Sequence, residues 1–258
     1  SWGYGANDGP DKWADGFPVA NGPRQSPIDI VPGAASYDAG LKPLRLKYDP
    51  STSLDILNNG HSFQVTFADD SDSSTLTEGP ITGIYRLKQF HFHWGASDDK
   101  GSEHTVAGKI LRLFVCRSSI WCTGTPNTPA SGRPPVSLTG SPWWGSSCRS
   151  ATKTRACRRC WTSLARSKQK GNRPPLLVST LLPCPGSLNY WTYEGSPRPL
   201  CWRVSPGLSA EPISVSSEQM AKFRSLLFSA EGEPECCMVN NYRPPQPLKG
   251  RSVRASFK

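Results

Sequence analysis

The chain has 258 residues and a mass of 28.2 kDa, enough to bury an apolar core without disulfide staples, which excludes a mini-scaffold. With 36% apolar residues, 25 Pro and 9 Trp its composition is unusual, yet it is not that of a disordered chain. The net charge of +10 is localised: residues 110–210 hold fourteen Lys and Arg against one acid, Glu194, while the remainder holds sixteen basic and nineteen acidic residues, so no basic nucleic-acid-binding fold is expected.

In chain order, Trp2 to Pro32 is rich in Gly, Pro and Asp and reads as an irregular arm pinned by Trp2, Tyr4, Trp13 and Phe17. Residues 43–48 alternate apolar and basic side chains, and His61 to Phe67 places Phe63, Val65 and Phe67 on one face; both predict strands. Tyr85 to Trp94 is the clearest strand. Its period of two puts Gln89, His91 and His93 on one face and Phe90, Phe92 and Trp94 on the other. Between Ile110 and Pro185 the periodicity fades into Pro, Ser, Arg and Cys clusters, which argues against any regular assignment there. The best helix runs from Ser216 to Leu227, with Ser216 as cap and Met220, Phe223 and Leu227 at i, i+3 and i+7. Turn signals between short strands indicate a mostly β, single-domain fold over 1–258 with short peripheral helices.

No run of eighteen apolar residues is present and the first residues lack a basic and an apolar signal region, so neither a membrane span nor a signal peptide is expected. A cytoplasmic location follows as the expectation. Nine cysteines, two of them adjacent at Cys236 and Cys237, fit free thiols better than a disulfide framework.

His91 and His93, two apart on one strand face, can converge on one borderline ion such as Zn²⁺, and Gln89 beside them can orient an imidazole. Two imidazoles are not a complete site, because a catalytic zinc takes three protein ligands and an open position. From the pattern alone, a metal site and a polar pocket both remain open. His61, following Asn59-Gly60, reads by itself as an exposed turn residue.

Several segments together resemble the alpha-class carbonic anhydrases of cytosolic vertebrate type. They are Gln25-Ser26-Pro27-Ile28, Asn58 to Phe63, Tyr85 to Gly95, Gly101 to Val106, Tyr190 to Tyr193 and Asn240 to Lys249. The resemblance implies a single domain around a large, mainly antiparallel twisted sheet, with zinc at the base of a conical cleft. It implies reversible hydration of CO₂ to bicarbonate and a proton. It makes His91 and His93 two of three Zn²⁺ ligands, Gln89 their supporting partner and His61 the proton shuttle. Tyr4, Asn59 and Gln64 would line the polar wall, Glu103 would be the acid of the gate over the zinc-bound oxygen, and His104 and Tyr193 would be structural. In this family zinc brings the pKa of bound water to about 7, a chemistry for which carbonic anhydrases are the usual illustration. An imidazole of ordinary pKa near 6.5 can return the proton to bulk. The expected partner is the small-molecule pair CO₂ and bicarbonate, with no nucleic acid, no membrane and a monomeric chain.

The resemblance lapses at about 110–180 and 197–210. The family's third ligand lies in a Glu-Leu-His-Leu-Val-His-Trp segment shortly after the position of Lys109, and no histidine follows His104. The gate threonine expected after Tyr193 is also missing, since the chain reads Ser196-Pro197-Arg198-Pro199-Leu200 there. Ile120-Trp121-Cys122-Thr123-Gly124 can be written ATC TGG TGC ACT GGA, which regroups, with a C ending the Ser119 codon, as His-Leu-Val-His-Trp. Leu200 to Ser209 can be written so that it regroups as Val-Leu-Glu-Ser-Val-Thr-Trp-Ile-Val. Two such coincidences point to an out-of-frame or mis-spliced reading. A non-catalytic carbonic anhydrase-like protein is the competing class. A thiolate from Cys116 or Cys122 in place of the third histidine, or a separate knuckle at Cys157 and Cys160, has no supporting pattern.

Overall fold

A computed structural model describes residues 1–109, the backbone of 121–124, residue 164, and residues 166–174, 189–195 and 216–258. The N-terminal arm is more regular than its composition suggests. It forms 3-10 turns at Pro10–Lys12 and Pro18–Asn21 around α1 (Trp13–Gly16), because Pro10 and Pro18 preset φ for a helical turn. Among the described residues eleven strands follow in chain order: β1 (Asp29–Ile30), β2 (Ser36–Tyr37), β3 (Leu44–Lys47), β4 (Ser53–Asn58), β5 (Phe63–Phe67), β6 (Thr75–Glu78), β7 (Tyr85–His91), β8 (Thr105–Val106), β9 (Trp121–Gly124), β10 (Trp191–Thr192) and β11 (Arg254–Ala255).

The main sheet has the order β3-β6-β7-β5-β4, with β9 also paired to β7, and all of its pairings are antiparallel. Arg86 pairs with Thr75 of β6 and Thr123 of β9, and Gln89 with Thr66 of β5 and Trp121 of β9. β6 and β5 therefore share one edge of β7, and β9 runs along the other. β2, β10 and β11 form a small sheet, and β1 pairs β8 in parallel. The architecture is mostly β with few short helices, as expected.

β5 alternates as anticipated, with Phe63, Val65 and Phe67 buried. These side chains join Leu87, Phe90, Trp94, Met220, Phe223 and Met238 in the principal core. The Phe63 ring lies 4.8 Å from that of Phe92 and 5.2 Å from that of Phe223, which seats α2 (Ser217–Arg224) against the sheet. Removing one such ring would cost about 3–5 kcal/mol. Ser216 caps α2 in a full capping box with Gln219. The helix ends at Arg224, short of the predicted Leu227. Ser225 closes it, and Leu227 is instead buried in a bridge to Cys237.

The C-terminal chain locks the arm in place. Arg243, 5% exposed, donates from Nη1 to Gln25 Oε1 and the Ser26 carbonyl and from Nη2 to the Ala20 carbonyl, with its guanidinium 5.5 Å from the Trp13 ring. Cys236 and Cys237 are free and exposed; the side chains of the other seven cysteines lie outside the described residues. Among the described residues no helix is long and apolar enough to cross a membrane.

Candidate functional site

β7 was predicted to extend to Trp94, but the ladder ends at His91. Beyond it, side chains replace strand partners: Ser62 Oγ donates to the Phe92 carbonyl at 2.5 Å, and Asn241 Oδ1 accepts the Trp94 N–H at 2.8 Å. Trp94 Nε1 donates to the Met238 carbonyl at 2.6 Å. The chain thus stays extended for two more residues, and His91 and His93 keep the common face that the period of two demanded. Their ring centroids are 5.0 Å apart, at an interplanar angle of 76°.

Each imidazole is oriented through Nδ1. His91 Nδ1 is 3.1 Å from Gln89 Oε1, and His93 Nδ1 is 2.5 Å from the Asn241 carbonyl oxygen. A carbonyl oxygen only accepts, so both rings carry their proton on Nδ1 and their lone pair on Nε2, the tautomer that a metal ligand needs. Gln64 is placed on this face by register, since it lies directly opposite His91 across β5 and β7.

Glu103 is 1% exposed. Its Oε1 lies 3.5 Å from His93 Nε2 and accepts the Arg243 N–H at 3.4 Å. His104, next in the chain, turns elsewhere. Its Nδ1 accepts the Ile28 N–H at 2.8 Å, and its Nε2 is 3.3 Å from Tyr193 Oη, which is itself 2.7 Å from Ser26 Oγ. These contacts tie together segments far apart in the chain.

His61 is half-buried rather than an open turn residue. Its ring stacks on Trp2 with centroids 3.8 Å apart and planes 8° from parallel, and Asn241 Nδ2 donates to its carbonyl at 3.0 Å. Burial is the main force holding the imidazole below its ordinary pKa. The charge of Lys170 adds to that shift and Asp8 opposes it. Asn59 Oδ1 accepts from the His61 and Ser62 N–H groups at 2.9 and 2.8 Å, so this side chain shapes the turn that carries His61. Tyr4 packs among Trp2, Trp13 and Phe228.

Asn241 is the residue that sequence reasoning left without a role. One fully buried asparagine orients His93, holds Trp94 and anchors His61. Its signal was the Asn240-Asn241-Tyr242-Arg243 segment, which was noted without a chemistry for it. Trp2 and Lys170 were likewise not paired with His61, because such contacts leave no trace in local spacing.

The donor set decides how far zinc fits. Two imidazoles offer Nε2 lone pairs from one face, and borderline Zn²⁺ suits them. The chain has four histidines, and the other two are engaged elsewhere, on Trp2 and on Ile28 with Tyr193. Among the described residues no group of three His, Cys, Asp or Glu is arranged to hold a metal ion. They fall one ligand short of a zinc centre. The side chains of Cys116 and Cys122 lie outside the described residues.

Residues 8–113 and 147–257 match the family model described as eukaryotic-type carbonic anhydrase. The chain is 44% identical over 265 residues to carbonic anhydrase 1 of Mus musculus, covering 99% of this chain and 98% of that protein. It is 43% identical over 262 residues to carbonic anhydrase 7 of Homo sapiens, covering 100% and 97%. With the scaffold and these matches taken together, the chain belongs to the eukaryotic-type carbonic anhydrases.

Proposed function

We propose that the chemistry of this site is zinc-dependent, reversible hydration of CO₂ to bicarbonate and a proton, carried out by a cytoplasmic monomer. The observation that carries this reading is the His91 and His93 pair, each braced at Nδ1, which leaves Nε2 as the nitrogen for a metal. Zinc, when bound, supplies a Lewis acid and an activated water. The chain's own residues supply the rest. Gln89 and Asn241 orient the imidazoles, Gln64 provides a polar wall, and His61 on Trp2 relays a proton between cleft and solvent. Glu103 is the buried acceptor beside His93, fixed by the Arg243 N–H.

A second reading, a non-catalytic carbonic anhydrase-like product, is favoured by one specific observation: the supply of histidines ends at His104. Residues 110–180 and 197–210 are, in our reading, an out-of-frame or mis-spliced text of a gene whose continuous frame supplies the third histidine and the gate threonine. Supporting this, the four residues of β9, which can be written in codons that regroup into family text, run along the edge of the strand that carries His91. The family match lapses over 114–146 and resumes over 147–257, so it supports this reading for the first part of 110–180 alone. Sequencing the transcript tests the frame, and an uninterrupted message encoding the chain as written would refute it. Zinc content and CO₂ hydration of the purified chain decide between the two functional readings. Tightly held zinc with fast hydration supports the first, and neither supports the second.

A further inference from the structure

The chain from Leu226 to Met238 doubles back on itself and carries two adjacent cysteines on its outer limb. The Phe228 N–H donates to the Cys236 carbonyl at 2.9 Å and the Met238 N–H to the Leu226 carbonyl at 2.6 Å, which closes an antiparallel bridge between Leu227 and Cys237. The inner limb is fixed from behind. Leu227 is buried, its N–H donates to the Lys168 carbonyl at 2.8 Å and its carbonyl accepts from Asn58 Nδ2 at 3.0 Å, while the Phe228 ring lies 6.2 Å from that of Tyr4. The connection between the limbs is tied down too: the Cys236 N–H donates to Ser229 Oγ at 3.1 Å, the Ala230 N–H to Glu233 Oε2 at 2.7 Å, and Lys168 pairs with Glu235 at 2.9 Å. Cys236 and Cys237 are both free and exposed on this held frame, and the chemistry proposed above uses neither.

We propose that Cys236 and Cys237 form a two-thiol modification site for low-molecular-weight disulfides, in which each sulfur takes its own adduct and the two do not close on one another. A disulfide needs two Cβ atoms about 3.5–4.5 Å apart and facing each other. Neighbours in an extended limb point to opposite faces instead. Closing the 236–237 pair would turn the peptide between them and break the bridge to Leu227, whose own limb is anchored to Lys168 and Asn58 and cannot follow. Attack on an external disulfide asks for no such change. The Sγ thiolate attacks one sulfur of the small disulfide, a new S–S bond forms to the protein, and the reagent's own S–S bond breaks. Its second half leaves as a thiolate, which takes up the proton the cysteine gave up, so the protein sulfur is oxidised and the leaving thiol is the reduced product.

The test needs neither zinc nor turnover. The folded full chain is incubated with cystamine, a small symmetrical disulfide, then digested, and the peptide that holds both cysteines is weighed by mass spectrometry over time. Cys236→Ser and Cys237→Ser are treated in parallel; both positions are exposed, so the variants should fold as the parent does. The expected result is a parent peptide that gains two cysteamine groups, and in each variant one group added at the rate its cysteine shows in the parent. A parent peptide that ends two hydrogens lighter and without an adduct would mean that the neighbours have closed on one another, and it overturns the proposal. So does a first adduct that blocks the second, a disulfide joining two chains through this peptide, or a folded chain that stays unmodified while the denatured chain reacts.

Discussion

Asn241 and His61 show how single side chains divide the work of this site. Asn241 spends its carbonyl, its Oδ1 and its Nδ2 on His93, Trp94 and His61, so the end of β7 and the turn that carries His61 are held by one residue. His61 is a base whose pKa lies below the ordinary value of 6.5 in the folded chain, chiefly through burial. As pH falls through 6.5 the unfolded chain takes up this proton before the folded one does, so the fold loses stability on acidification. His61→Gln should remove that component, giving a shallower fall in Tm between pH 7.5 and 5.5, whereas parallel Tm profiles would contradict it. The pair His91 and His93 with Gln89 was legible in the sequence because a strand's period of two is absolute. Asn241, Trp2 and Lys170 were not, because their contacts join residues far apart in the chain.

At the scale of elements, strands that bury one face announced themselves. β5 and β7 are core strands, and alternation fixed which residues point inward. The limit of β7 was misjudged because Ser62 and Asn241 hold the chain beyond His91 through side-chain hydrogen bonds in place of a strand partner. The start of α2 was legible through its capping box, and Ser216→Ala should cost about 1 kcal/mol, read as a lower denaturation midpoint at constant m. Its end was less visible, since Leu227 satisfies helical spacing yet is buried by a different route. Arg243 joins the two chain termini. Arg243→Met should cost roughly 2–4 kcal/mol by leaving the Gln25, Ser26 and Ala20 acceptors unmet, and Arg243→Lys should recover little of it because a single ammonium cannot match the fork. Full stability in the lysine variant would show that the charge alone suffices.

For the whole molecule, the localised charge of residues 110–210 spans the gap at 114–146 in the family match, which resumes at 147, and among the described residues the main sheet forms from the text outside 110–210, with β9 the exception. Membership of the family was legible from the ordered signature segments, and the matches over nearly the full chain agree with it. The shortage of histidines was equally legible, since the chain has four and none follows His104. The central claim is a carbonic anhydrase scaffold on which we propose that His91 and His93 hold zinc. Zinc per chain, measured on the purified protein after gel filtration, tests it most directly, with His91→Ala as control. The account predicts zinc that copurifies with the parent chain and is lost in His91→Ala. A parent chain that holds no zinc would contradict it.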